Sequence, residues 1–200
     1  MICSDGYLPC VQGRVQPRNV YRLELAEPNK AIRRLFAELI RSLYGVIARD
    51  KPKSGRIRAF GKAMSLDLQL YGPYGKLRWR APVDFLNRGS ARAWLRSYFD
   101  GDGDVRVSEK LSKCLVRARS VNRAGLIDVL GLLHSYFAIE SKLYTHGKPK
   151  VPNWSQSYDL DVLGSRNIEK FAATIGFNHP GKAQKLSRLV SIIASRNVRS

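Results

Sequence analysis

Residues 21–46 read YRLELAEPNKAIRRLFAELIRSLYGV, and residues 114–139 read CLVRARSVNRAGLIDVLGLLHSYFAI. Each is a short alternating stretch, then an Asn, then a segment whose apolar residues recur at helical spacing. Ile32, Leu35, Phe36, Leu39, Ile40 and Leu43 form one stripe, and Leu126, Val129, Leu130, Leu133 and Phe137 form the other. From Asn29 to Gly45 is 16 positions, and from Asn122 to Ala138 is also 16. Self-similarity on this scale points to a duplicated supersecondary unit.

The likeness extends outward. SDGYL (4–8) lies before the first segment and GDGDV (101–105) before the second. FGKAMSLDLQLYGPYGK (60–76) and LGSRNIEKFAATIGFNHPGK (163–182) follow, each running from a Gly through an apolar-patterned segment to Gly, Pro and Gly-Lys. The turn signals Asn87-Arg88-Gly89 separate two copies, 1–88 and 89–200. Each copy reads helix, strand pair, helix, strand pair, helix. The fold class is α+β, with two pseudo-symmetric αββαββα repeats and antiparallel sheets. Tyr21, Leu23 and Leu25 face a core while Arg22 and Glu24 face out. Val105 and Val107 face in, opposite Arg106 and Ser108. Leu115, Arg117 and Arg119 share one side, opposite Cys114, Val116 and Ala118.

Thirty-five Lys and Arg stand against 16 Asp and Glu, a net charge of +19. The pI near 10.3 points to a polyanionic partner, nucleic acid first. The basic residues are spread along the chain, which disfavours a membrane-surface helix. A thermophile's ion-paired surface would need both signs of charge. A ribosomal or other structural RNA binder would explain the charge but not two Asp-Gly motifs. A hydrophobic share of 44% allows a sizeable core, and no apolar run approaches the roughly 18 residues of a membrane span. MICSDGYLPC (1–10) is neither a signal nor a transit peptide, so an intracellular, cytoplasmic protein is expected. Cys3, Cys10 and Cys114 form no C-x-x-C pair, and His134, His146 and His179 lack metal-ligand spacing. A disulfide framework and structural zinc are thereby disfavoured.

WLRSYFDGDG (94–103) and MICSDG (1–6) carry a resemblance. With the duplicated pattern behind each, and IGFNHPGK (175–182) late in the second copy, the chain resembles the LAGLIDADG homing endonucleases, in their single-chain, two-repeat branch. Leu95 through Gly103 lies over the nine signature letters and puts Asp102 in the metal-binding place. Asp5 takes that place in the first motif. AGLIDVLG (124–131) also nearly spells the signature, but Leu130 stands where the acid belongs and the segment lies within the second helical stripe. We read it as a core helix and Asp128 as a solvated acid on its face.

The resemblance implies curved sheets forming a saddle on double-stranded DNA, with Arg22, Arg56, Arg58, Arg106, Lys113, Arg117 and Arg119 as candidate contacts. Arg on a β-ribbon can read guanine in the major groove; for any one of them an ordinary solvated face is the alternative. It implies Mg²⁺, or Mn²⁺, bound by Asp5 and Asp102 with the carbonyls of Ser4 and Gly101. Hard cations take such oxygens, activate water and neutralise a scissile phosphate. It implies that Gly6, Gly101 and Gly103 let two motif helices approach closely. Asn29 and Asn122 would orient water, with a helix N-cap as the alternative. Lys76 and Lys182 would serve as active-site lysines, with a phosphate contact or plain solvation as the alternative.

One departure stands out. Only Met1 to Ser4 precede Asp5 where the family has a full helix, so the first helix reads as truncated, which weighs against cleavage more than against DNA binding. The expected function is a monomeric, site-specific, Mg²⁺-dependent double-strand DNA endonuclease acting on a long asymmetric site. Intein splice-junction residues are lacking, so an intron-encoded protein of an archaeal or organellar host is expected. The alternative is a non-cleaving nucleic-acid binder, an RNA maturase on intron RNA or a transcription-regulator-like remnant.

Overall fold

Asn29 and Asn122 each begin a 15-residue helix, as the repeat predicts. A computed structural model describes residues 6–7, 21–108, 114–147 and 155–197. They fall into two units, 1–80 and 81–200. The first runs β1 (Gly6–Tyr7), β2 (Arg22–Ala26), α1 (Lys30–Tyr44), β3 (Arg49–Lys51), β4 (Arg56–Phe60) and α2 (Lys62–Leu70). The second runs α3 (Arg88–Asp102), β5 (Gly103–Arg106), β6 (Leu115–Ser120), α4 (Arg123–Phe137), β7 (Ser141–Thr145), β8 (Tyr158–Leu163), α5 (Ser165–Thr174) and α6 (Pro180–Asn197).

The sheets have the same antiparallel order, β1-β2-β4-β3 and β5-β6-β8-β7. In each, register pairs one alternate set of apolar residues toward the helices. Leu23 pairs with Ala59 and Leu25 with Ile57; Val116 pairs with Val105 and Val162. Ile32, Phe36 and Ile40 of α1 and Met64 of α2 close the first core. Leu95, Phe99, Leu126, Val129, Leu133, Phe171, Leu189 and Ile193 are all buried in the second unit. Each such side chain contributes about 1.5–3 kcal/mol by leaving water.

The apolar stripe of α1 is narrower than its sequence predicts: Leu39 and Leu43 are 44% and 69% exposed. Arg33 takes a buried place beside Ile32 instead. Its guanidinium donates to Asp50 at 2.8 Å and to the carbonyls of Glu27 and Pro28 at 2.9 and 2.7 Å.

The small residue that ends each repeated helix has a backbone reason. Gly45 and Ala138 both adopt the left-handed conformation, with φ of 66° and 50°, and close their helices with N–H bonds to Arg41 and His134. Glycine does this freely, whereas alanine carries a steric cost. Among the described residues no helix is long and apolar enough to cross a membrane.

Candidate active site and nucleic-acid interface

The helix α3 carries the second acidic motif. Asn87 and Ser90 form a reciprocal capping box at its start. Leu95, Tyr98, Phe99 and Asp100 are buried along it, and Asp102, half-buried, is its last residue. Gly103 follows with its N–H on the Phe99 carbonyl. A Cβ there would lie 2.4 Å from that oxygen and 2.9 Å from the Phe99 ring. The motif's final glycine is therefore demanded by its own helix, a reason other than the helix–helix approach expected from sequence.

The last carbonyls of a helix lack intrahelical donors and gather partial negative charge. At the end of α3, Lys182 from the first turn of α6 supplies the cation. Its Nζ donates to the carbonyls of Asp100 at 2.6 Å, Gly101 at 2.9 Å and Phe99 at 3.3 Å. Asp100 works in the opposite sense. Its Oδ1 accepts the N–H groups of Asn178 and His179, at 2.8 and 2.9 Å, just before α6 begins. Its Oδ2 is buried with no hydrogen-bond partner among the described residues. The ends of α3 and α6 are thus tied by a carboxylate in one direction and an ammonium in the other. Asp100 is not among the residues expected from sequence; its signal was the doubled acid in DGD.

The expected site residues have the following places. Asp5, Ser4 and Lys113 lie outside the described residues. Gly101 and Asp102 stand together at the end of α3, with Lys182 on the Gly101 carbonyl. Lys76 is exposed in a turn of the other unit. Asn29 caps α1 by accepting from Ala31 N–H at 2.9 Å, and buried Asn122 caps α4 by accepting from Gly125 N–H at 3.2 Å. Among the described residues no three His, Cys, Asp or Glu side chains gather as a metal site. The Asp102 carboxylate and the Gly101 carbonyl are oxygen donors of the kind a hard cation takes, and the Gly101 oxygen already faces a positive charge.

Asp128 requires a correction. It is half-buried, and its Oδ2 accepts the N–H of Ala81 at 3.0 Å, across 47 positions. It anchors the segment entering α3 onto α4, and is not a solvated acid. Leu126 and Val129 of the same near-signature are fully buried.

The expected DNA-contacting arginines lie where their alternation put them, on the sheet faces turned away from the helices, but buried acids hold most of them. In the first sheet Glu24 receives Arg58 at 2.5 Å, Arg56 at 3.0 Å and Arg22 at 3.7 Å. Burial works to raise the Glu24 carboxyl; the Arg58 hydrogen bond and the charges of Arg58, Arg22 and Arg56 outweigh it and hold it below its usual value. In the second sheet Arg117 makes a two-pronged contact with Asp161, 2.6 Å on each prong, and reaches Asp159 at 3.0 Å. The Asp161 hydrogen bond leads in raising Arg117 above its ordinary value, against burial. Arg119 meets Asp159 through Nε at 2.6 Å and Nη2 at 3.2 Å, and His146 lies 3.1 Å from the same carboxylate. For Asp159, burial is again outweighed by Arg119, Arg117 and His146, and the carboxyl is lowered. The acid lies on β2 in one sheet and on β8 in the other. Arg106 is exposed on β5.

The motif helix, the sheet and the capped helix that follow it make up one matched region. Residues 90–176 match the LAGLIDADG-like domain. That LAGLIDADG-like stretch runs from the first turn of α3 to the end of α5 and includes Asp102. Over the whole chain the fold is similar to solved LAGLIDADG proteins. The I-LtrWI LAGLIDADG homing endonuclease bound to target DNA aligns over 98% of this chain and 88% of its own, at 11% identity and a TM-score of 0.58. The homing endonuclease I-WcaI bound to its DNA recognition sequence aligns over 92% and 81%, at 15% identity and 0.55. Full-length DUF199/WhiA from Thermatoga maritima aligns over 98% of this chain and 57% of its own, at 17% identity and 0.55. These are likenesses of fold.

In sequence, 28% identity over 177 residues relates the chain to a probable translation initiation factor of Thermococcus kodakarensis. A glutamine–fructose-6-phosphate aminotransferase of Methanocaldococcus jannaschii is 27% identical over 212 residues. The match takes in 88% and 99% of this chain but spans only 12% and 17% of those proteins' lengths.

Proposed function

We propose that the chain is a site-specific DNA endonuclease that hydrolyses both strands of a long asymmetric duplex with Mg²⁺ or Mn²⁺. The observation that carries this reading is Asp102, ending a buried motif helix whose carbonyls attract a cation, beside a sheet that presents arginines. Asp102 and the Gly101 carbonyl would hold metal, and Asp5 and the Ser4 carbonyl are the corresponding ligands proposed for the first motif. The metal would supply an activated water and neutralise the scissile phosphate. Asp100 and Lys182 keep the helix end in place, and the N-caps Asn29 and Asn122 fix the helices that back each sheet. Lys76, exposed, suits a phosphate contact.

We take the chain as the expected pseudo-symmetric repeats, 1–88 and 89–200, acting on duplex DNA as a monomer inside the cell. The DNA-bound state of the endonucleases of like fold supports the partner. The curated relatives support mobility: an initiation factor and an aminotransferase have no named activity in common, yet each contains a segment like this chain. A mobile segment inserted in a host gene accounts for that, and the gene that flanks this chain tells intron from in-frame insertion.

A second reading, a non-cleaving binder of DNA or intron RNA, is favoured by one contact. The Lys182 ammonium occupies the Gly101 carbonyl that the metal would need. Incubating the chain with a randomised duplex library in Mg²⁺, Mn²⁺ or EDTA, then sequencing all new double-strand ends, separates the readings. Ends at one shared sequence in metal alone support the endonuclease. Retained duplex with no new ends supports the binder.

A further inference from the structure

The two sheet faces share an order of strands but not a charge. Register places Arg22, Glu24, Arg56, Arg58, Arg49 and Lys51 on one face of the first sheet. Five cations there share one acid, and Arg49 and Lys51 are exposed at its edge strand. The matching face of the second sheet holds Arg106, Arg117, Arg119 and Lys142 against Asp104, Asp159 and Asp161. Among the described residues that face is close to neutral.

The second sheet spends its acids on geometry. A guanidinium offers five donors in two forks. Arg117, with a side chain 16% exposed, gives Nε and Nη2 to Asp161 and Nη1 to Asp159. Arg119 gives its Nε–Nη2 fork to Asp159 but keeps 44% of its side chain exposed. Its Nη2 also lies 3.3 Å from His146 Nδ1, and among the described residues its Nη1 has no acceptor. A guanidinium held along one edge by a carboxylate that is itself 6% exposed loses little freedom when its other end meets a base. That suits a directed hydrogen bond from Nη1 to guanine O6 or N7. An excess of cations over acid with exposed members at the edge, as Arg49 and Lys51 give the first sheet, suits phosphates, whose contacts carry no sequence information.

We propose that the two sheets do different work on DNA. The first grips the phosphate backbone through Arg49, Lys51 and the arginines around Glu24. The second reads base edges through Arg119, with Asp159 as its positioning residue. This rests on the DNA-binding reading above.

The test uses the full chain without divalent metal, a randomised duplex library to select the preferred sequence, and binding of the selected duplex across a KCl series. Arg49→Gln with Lys51→Gln is expected to lower the salt slope by about 0.9 for each phosphate no longer neutralised, with the selected sequence unchanged. Arg119→Gln is expected to erase the preference at one or two base pairs and leave the slope nearly as it was. Asp159→Asn is expected to erase the same preference although it makes the protein more positive; a purely electrostatic role would tighten binding to every sequence. Arg119 is half in solvent, so its variant reports even where Asp159→Asn is unstable. Equal slope changes from both sheets, or a preference that survives Arg119→Gln, would overturn the division of labour while DNA binding stands. Failure of the parent chain to retain any duplex would remove the DNA-binding reading and this inference with it.

Discussion

The Lys182 ammonium lies 2.9 Å from the carbonyl oxygen of Gly101, inside the acidic motif. It closes the C-terminal end of α3 from a helix that starts 78 positions after α3 ends. Lys182→Met keeps most of the stem and removes the charge. It is expected to cost about 1–2 kcal/mol of stability, the range for a partly buried cation at a helix C-terminus. Urea denaturation monitored by circular dichroism checks this, and a midpoint equal to the parent's would show that Lys182 ties nothing.

Asp128 supplies a paired prediction. Asp128→Ala leaves the Ala81 N–H without its acceptor and is expected to cost about 1–2 kcal/mol. Asp128→Asn keeps a carbonyl oxygen in place and is expected to cost less than about 0.5 kcal/mol. Neither touches the proposed metal ligands. Thermal melts of both variants beside a cleavage assay should move the first readout and not the second.

Ala138 occupies a left-handed position at φ 50° that its counterpart Gly45 occupies as glycine. Ala138→Gly relieves a steric cost of about 1 kcal/mol, less the added freedom of the unfolded chain. The melting temperature is expected to rise. A fall would mean that the Ala138 methyl group packs usefully.

The duplication was legible because its signals are local. An Asn N-cap, a helical apolar stripe and a left-handed terminal residue sit within 16 positions of one another, and they recur. Alternation placed Arg117 and Arg119 on the open face for the same reason. Their partners were not legible. Asp159 and Asp161 stand 40 and 44 positions downstream of Arg119 and Arg117, and only strand register sets them opposite. Asp128 misled because helix periodicity fixes a face, whereas its partner Ala81 arrives from outside the helix. The same limit hid Asp100, whose donors come from the loop before α6.

The buried acids of the two sheets predict a response to pH. Glu24 and Asp159 have lowered carboxyl values in the folded chain, because their arginines outweigh the effect of burial. An unfolded carboxyl titrates near 4, roughly. The stability these groups supply is therefore complete above that value and is lost as pH falls through the lowered folded value. The melting temperature should drop as pH falls below about 4, and Glu24→Gln with Asp159→Asn should flatten that drop. An unchanged acid limb in the double variant would show that these pairs do not control it.

On the proposed reading, cleavage turns on Asp102. The decisive comparison sets the parent chain beside Asp102→Asn on a duplex recovered from the cleavage selection, scoring binding and double-strand cutting together in Mg²⁺. Binding is predicted to stay within about threefold of the parent, since Asn keeps the shape and adds no like charge, and cutting to fall by at least about 100-fold for loss of a metal ligand. Undiminished cutting by Asp102→Asn, or cutting by the parent that persists in EDTA, would contradict the assignment.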